Sequence, residues 1–305
     1  MVEQSPLWHN ARMKIETNLN PNTKYDLHSH TTCSDGVLTP EELVFRASNK
    51  QVDVLAITDH DCIDGIARAK QEINDKNYAV KIINGVEIST KWHGFEIHIV
   101  GLCIDTKNEN LVSSLKQQQE QRNGRALKIA AKLAKKGIQN TFELAKEYAG
   151  DGVISRTHFA KALIKLGAVA NFEQAFKKYL GKGKGAYVTP EWMEVEDAVR
   201  LIKEAEGLSV IAHPIRYDLS NKWLRKLVAE FASAGGDALE VGLTQMSPDQ
   251  RKFISSLATE HDLYSSQGSD FHGPTRWTEL GKGLHLSETC RPVWTHDNWN
   301  AAKCS

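Results

Sequence analysis

The sequence predicts an α/β protein of about seven βα repeats with a helical segment inserted among them. Three observations carry that prediction. Short, apolar, β-prone runs alternate with amphipathic helical stretches in both halves of the chain. The alternation stops between residues 105 and 187, where helical patterns dominate. Histidines and carboxylates collect where the candidate strands end, the place where parallel α/β folds put their active sites.

Tyr25–His28, Val52–Thr58, Val80–Val86 and Glu96–Gly101 are the first four candidate strands; Leu208–Ala212, Ala238–Val241 and Leu263–Ser266 are the last three. Helical patterns at Pro40–Lys50, Glu194–Glu206, Trp223–Ala234 and Pro248–His261 separate most of them, so parallel pairing is expected. Thr39, followed by Pro40 and Glu42, reads as an N-cap, an N1 proline and a capping-box acid. Within the insert, a run rich in Gln, Lys and Ala over Glu109–Lys136 predicts one long helix, and the next strand-like stretch is Ala186–Val188. The repeats that remain are too few for the usual eight-stranded barrel. The expected layout is a polar extension over 1–23, a barrel from 24–104 and 188–286, the insert over 105–187 and a tail over 287–305.

Composition narrows the function. The 305 residues carry 38 basic and 38 acidic side chains, so no global field draws long nucleic acids or membranes, while a local positive site for a small anion remains compatible. Cys33, Cys62, Cys103, Cys290 and Cys304 are scattered, odd in number and without a CxxC pair, which fits reduced thiols in a cytoplasmic protein. No apolar run reaches the ~20 residues that span a bilayer, and the N-terminus lacks the apolar segment of a signal peptide.

The chemistry sits at the strand ends. His28 and His30 form a His-x-His whose period-2 geometry turns both imidazoles to one face, able to grip one cation. Alone, that motif is weak. It is joined by Asp35 in a turn, by Thr58-Asp59-His60-Asp61 after the second strand, by Glu87 closing the third and by His98 within the fourth. In the second half, His213 follows an apolar strand, and Gly268-Ser269-Asp270-Phe271-His272 follows the last. The nine candidates are His28, His30, Asp35, His60, Glu87, His98, His213, Asp270 and His272, too many for one ion. Mixed imidazole and carboxylate ligation without thiolates suits Zn²⁺, Mn²⁺ or Fe²⁺. Glu87 and Asp270 are natural bridges between ions, and multinuclear sites recur in phosphoester hydrolysis, where they generate hydroxide and clamp phosphate oxygens. Asp35, His60 and His213 complete the expected catalytic group.

These motifs together resemble the polymerase and histidinol phosphatase (PHP) family over roughly Lys24 to Leu286. The resemblance implies a distorted seven-stranded (β/α)7 barrel holding two or three divalent ions, with Mn²⁺ preferred to Zn²⁺ or Fe²⁺. By the family pattern His28, His30, Glu87 and Asp270 hold the first ion. Glu87, His98 and His213 hold the second, and Asp35, His60 and His272 the third.

The insert discriminates among substrates. Ser155-Arg156-Thr157-His158 opens a helical pattern whose free N–H groups and guanidinium make a phosphate pocket. Gly181-Lys182-Gly183-Lys184-Gly185 is a flexible basic loop that can approach a phosphate or simply stay solvated. Together these resemble the PHP subgroup of 3′,5′-nucleoside bisphosphate phosphatases and 5′→3′ exoribonucleases. The resemblance implies that Ser155, Arg156 and His158 bind the non-reacting phosphate of a 3′,5′-bisphosphate or of a short 5′-phosphorylated RNA, with Lys182 a further candidate contact. No membrane and no protein partner is implied. The alternatives are a histidinol-phosphate-type phosphomonoesterase and a non-catalytic metal-binding module.

Overall fold

The computed structural model describes residues 22–299. Most of the expected N-terminal extension, the last residues of the tail and Cys304 therefore lie outside the described residues. Seven strands form a mixed sheet that nearly closes into a barrel, in the order β1 (Tyr25–Asp26), β2 (Val54–Ile57), β3 (Lys81–Trp92), β4 (Phe95–Leu102), β6 (Leu208–Ile211), β7 (Ala238–Leu243) and β8 (Tyr264–Gly268). A two-residue β5 (Met193–Glu194) adds to β3. β8 returns beside β1, where the Leu27 N–H donates to the Gln267 carbonyl at 3.0 Å and the Gln267 side-chain amide donates to the Tyr25 carbonyl at 3.0 Å.

The strands are not all parallel. β4 runs antiparallel to both β3 and β6. The cause is local: His93 and Gly94, at φ 46° and 79°, close a tight hairpin from β3 into β4. The chain thus reverses where parallel pairing was expected. His98 accordingly lies within β4, opposite Ser89 and beside the mouth, and not at a strand's C-terminal end.

Helices wrap the barrel: α1 (Pro40–Asn49), α2 (Asp64–Lys76), α7 (Val195–Glu204), α8 (Asn221–Ser233) and α9 (Pro248–Glu260). Thr39 caps α1 with the reciprocal Glu42 contact that the sequence indicates. The segment after β4 is helical: α3 (Glu109–Ala134), α4 (Thr141–Ala149), α5 (Arg156–Lys165) and α6 (Phe172–Ala175), the last running into a π-helical turn over Phe176–Leu180. These helices bury their own apolar cluster around Leu133, Phe159 and Leu163. Ala186–Val188 forms no strand; Ala186 packs into that helical cluster instead, and pairing resumes at Met193.

In the tail, Trp294 stacks on Tyr25 at a ring separation of 4.1 Å and helps cover the bottom of the barrel. Among the described residues Cys33, Cys62 and Cys290 are free thiols. No helix of the described residues is long and apolar enough to cross a membrane.

Candidate metal centre and substrate cleft

The rim of the barrel brings all nine candidate ligands together. Glu87 is the hub, fully buried at the mouth: its Oε1 lies 3.0 Å from His98 Nδ1, 3.0 Å from His213 Nε2 and 3.4 Å from His28 Nε2. Its Oε2 lies 3.0 Å from His60 Nδ1 and 3.3 Å from His30 Nε2. Asp270 Oδ1 lies 3.2 Å from His30 Nε2 and 3.4 Å from His28 Nε2. On the outer side Asp35 Oδ1 faces His272 Nε2 at 3.2 Å and His60 Nε2 at 3.9 Å.

Local backbone explains the convergence. A parallel bridge between His60 and Glu87 ties the second and third strand ends together. His213 and Asp270 adopt left-handed backbone, φ 30° and 50°, at the points where their strands end, which turns each side chain into the mouth at a cost typical of functional sites. Asp59 does not face the cluster. It is fully buried and accepts from the Thr31 amide, the Thr31 hydroxyl and the Ser34 hydroxyl, fixing the turn that presents Asp35. Asp61 likewise points away, accepting from the Ser89 amide at 2.9 Å and from Arg122 at 2.7 Å.

Two residues absent from the sequence-level site support it. Glu240, buried in β7, lies 3.1 Å from His28 Nδ1 and accepts from the His213 amide, orienting two ligands at once. A register shift between Glu240 and Gly242 against β8 marks an irregularity beside Glu240. Gly268 makes room: a Cβ there would come within 2.3 Å of His28 Cβ and 2.8 Å of Glu240 Oε1. Arg216, in the short turn after His213, pairs with Asp270 Oδ2.

The donor set fits divalent cations. Asp35 Oδ1, Glu87 Oε2 and His60 Nδ1 are buried and have no hydrogen-bond partner, although the last two lie 3.0 Å apart. Buried lone pairs facing one another are costly unless a cation lies between them. Three groups have ligand atoms close enough to share an ion: His28, His30 and Glu87; His60, Glu87 and His98; and His30, Asp35, His60 and His272. Burial alone would raise the carboxyl pKa of Glu87, Asp35 and Asp270, yet the surrounding imidazoles hold all three well below the usual range.

A cleft of about 250 Å³ leads from this cluster to a second, cationic end lined by Arg122, Arg125, Arg156, Ser155, Phe176 and Trp192. Arg156 donates to Glu96 Oε2 at 2.8 Å and Arg125 to Glu96 Oε1 at 3.1 Å, and the Tyr187 hydroxyl adds a third bond to the same carboxylate. Burial first, and then the neighbouring Arg156 and Arg122, pull Arg125 down to about 10, with Glu96 opposing. One carboxylate thus serves crowded guanidiniums, leaving charge for an anion. Ser155 caps α5 and donates to Asp35 Oδ2 at 3.2 Å, which links the helix N-terminus to the metal end.

Two expected substrate contacts fall elsewhere. His158 is buried, and its Nδ1 accepts from the Ser155 amide; it completes the cap and does not line the cleft. Lys182 is exposed on the far side of the β3–β4 hairpin, donating to the Gly94 carbonyl at 2.8 Å. Its glycine-flanked loop gave no sequence signal for that choice. Arg125 was missed because nothing near it in sequence marks it; the signal lies only in its spatial neighbours.

Clustered imidazoles and carboxylates at the mouth of an α/β barrel, opening on a cationic cleft, define a metal-dependent phosphoesterase. The PHP domain model matches residues 26–209. The chain belongs to the PHP family. It is 49% identical over 270 residues to the 5′-3′ exoribonuclease Rnm of Escherichia coli, covering 88% of this chain and 92% of that protein. It is 41% identical to the 3′,5′-nucleoside bisphosphate phosphatase of Chromobacterium violaceum, covering 88% and 94%. A solved structure described as an amidohydrolase from Chromobacterium violaceum with bound sulfate superposes with a TM-score of 0.83 at 40% identity, covering 89% of this chain and 95% of that one.

Proposed function

We propose that this phosphoesterase removes the 3′-phosphate from nucleoside 3′,5′-bisphosphates and releases 5′ nucleotides from short 5′-phosphorylated RNA. One observation carries the reading: Arg156 and Arg125 share a single cleft with seven of the nine candidate metal ligands, so one ligand with two phosphates can touch both ends. The resemblance to an exoribonuclease and to a bisphosphate phosphatase supports it. Both substrates present the same pattern, a phosphate ester on the 3′ oxygen beside a 5′-phosphate.

The proposed ligand sets are His28, His30, Glu87 and Asp270 for one ion, Glu87, His98 and His213 for a second, and Asp35, His60 and His272 for a third, with Mn²⁺ as the preferred metal. When bound, such ions lower the pKa of water and offset charge on the phosphate oxygens. The chain's own residues do the rest. Glu240 holds the His28 ring by Nδ1, so its Nε2 faces the mouth. Glu96 pins Arg156 against the cleft wall, where the guanidinium takes the distal phosphate in bidentate fashion. The N–H groups of the first turn of α5 reinforce that contact. Anchoring at the distal phosphate aligns the reacting one, the usual route by which remote binding lowers a barrier. Buried Trp192 and partly buried Phe176 limit water at the cationic end.

The test compares Mn²⁺-loaded protein on adenosine 3′,5′-bisphosphate, a 5′-phosphorylated oligoribonucleotide, histidinol phosphate and an aryl phosphate. The bisphosphate is expected to exceed the aryl phosphate in kcat/KM by roughly 100-fold, because a charged hydrogen bond contributes about 1.5–3 kcal/mol. Equal rates on all four would overturn the reading.

A further inference from the structure

The proposed function leaves unexplained an aromatic and basic patch at the tip of the β3–β4 hairpin. β3 continues from Glu87 to Trp92, so its hairpin tip stands on the order of 15 Å further along the strand than the metal hub. At that tip Trp92 and Phe95 pack against Trp223, from the first turn of α8, with ring centroids 5.4 and 5.8 Å away. Lys226 lies 5.1 Å over the Trp223 ring, and Lys182 lies 4.7 Å over the Phe95 ring. Glu230 answers Lys226 and His93, at 3.5 and 3.4 Å. Lys182 has no carboxylate partner among the described residues; it is held by the Gly94 carbonyl. Trp223 keeps 38% of its surface exposed, a large area for a tryptophan already packed on the Trp92, His93 and Phe95 rings.

The patch lies on the helix-packed face of the β3–β4 hairpin and the cleft on its other face, the two meeting at the His93-Gly94 tip. Phe95 directly precedes Glu96, which lines the cleft, so the two side chains leave opposite faces of β4 next to the tip. The segment from the ligand His213 to α8 carries Tyr217, whose hydroxyl accepts from the His98 amide at 2.9 Å. An aromatic face flanked by cations is the recurring platform for unpaired bases and their backbone. A bisphosphate has nothing to place there, whereas an RNA substrate has a strand beyond the cleaved link. Resting on the exoribonuclease half of the proposed function, we propose that this patch is a shelf for single-stranded RNA: a base 3′ of the cleaved link stacks on Trp223, and the backbone passes Lys226 and Lys182.

The test uses Trp223→Ala and Lys226→Gln in the full chain. Binding of a fluorescent 5′-phosphorylated hexaribonucleotide is followed by anisotropy in EDTA, so no cleavage intervenes. Trp223→Ala is expected to weaken binding by roughly 5- to 100-fold, the range for one lost stacking partner. Lys226→Gln is expected to lower the slope of log affinity against log salt by about 0.7. Turnover of adenosine 3′,5′-bisphosphate should stay within about twofold of wild type, since neither residue lines the cleft. Hexamer affinity and salt slope unchanged in both variants would overturn the shelf, as would equal losses on hexamer and bisphosphate. If Trp223→Ala lowers the Tm, the surface variant Lys226→Gln decides alone. A wild type that binds the hexamer through this patch yet cleaves neither substrate would refute the proposed function while upholding the shelf.

Discussion

The two ends of the cleft are built on different plans. At the metal end, each candidate ligand belongs to a strand or the loop after it, and the barrel's closure gathers them around Glu87. At the cationic end, Arg122 and Arg125 come from the long α3, Arg156 from α5 and Glu96 from β4. That end exists only because the helical segment packs back over the hairpin. On the proposed function, the difference teaches that the barrel supplies reactivity, whereas the packing of a separate element upon it supplies choice of substrate. Each end should then fail in its own way.

The largest effect is expected from Glu87→Gln, which removes a charge that five imidazoles face. Activity on both the bisphosphate and an aryl phosphate should fall by at least ~10³-fold, with loss of bound metal by elemental analysis, since the charge of the shared ligand is gone. A variant that kept its metal and its rate would remove Glu87 from the hub.

Arg156→Ala should separate the ends. The bisphosphate should lose about 10- to 100-fold in kcat/KM, and the aryl phosphate should change by less than about threefold. Parallel losses on both substrates would mean that Arg156 serves the metal end instead.

Glu240→Gln probes support behind the metal ligands. Metal affinity should drop by about 10- to 100-fold by titration, with activity recovered at high metal concentration. Failure of added metal to rescue it would point to a purely structural role.

The smallest effect concerns His158, whose imidazole is pulled down to about 4, chiefly by burial. Below the unfolded-state value near 6.5 the unfolded chain takes up a proton that the folded chain refuses. Stability contributed by the neutral ring is therefore complete above pH ~6.5 and lost as pH falls toward 4, on the order of 3 kcal/mol. Denaturant titrations of wild type and His158→Asn across that window should show a shallower pH slope in the variant. An unchanged slope would show that other groups carry the acid sensitivity.

Much of the metal end was legible in the sequence because its ligand types are rare in apolar strands and recur at strand ends. His-x-His, Asp-His-Asp and Ser-Asp-Phe-His each place candidate ligands by local geometry alone. Within those motifs, however, sequence could not say which acid faces inward: Asp59 and Asp61 turned out to anchor loops and Arg122. The hairpin that reverses β4 did leave a trace, a short His93-Gly94 turn between β-prone runs, but the helix–strand alternation outweighed it. Lys182 and His158 were misplaced because a basic loop or a capping residue looks the same whether or not it meets a ligand.

The sequence by itself determined the chemistry of the mouth, since a residue's ligand type and its place at a strand end are local properties that survive in one dimension. Only the tertiary structure decided what supports and directs that chemistry. Glu240 meets His28 across 212 positions of chain, Arg216 meets Asp270 across 54 and Arg156 meets Glu96 across 60. Such pairs follow from how the sheet closes and where the helices pack, and a linear pattern carries no record of either.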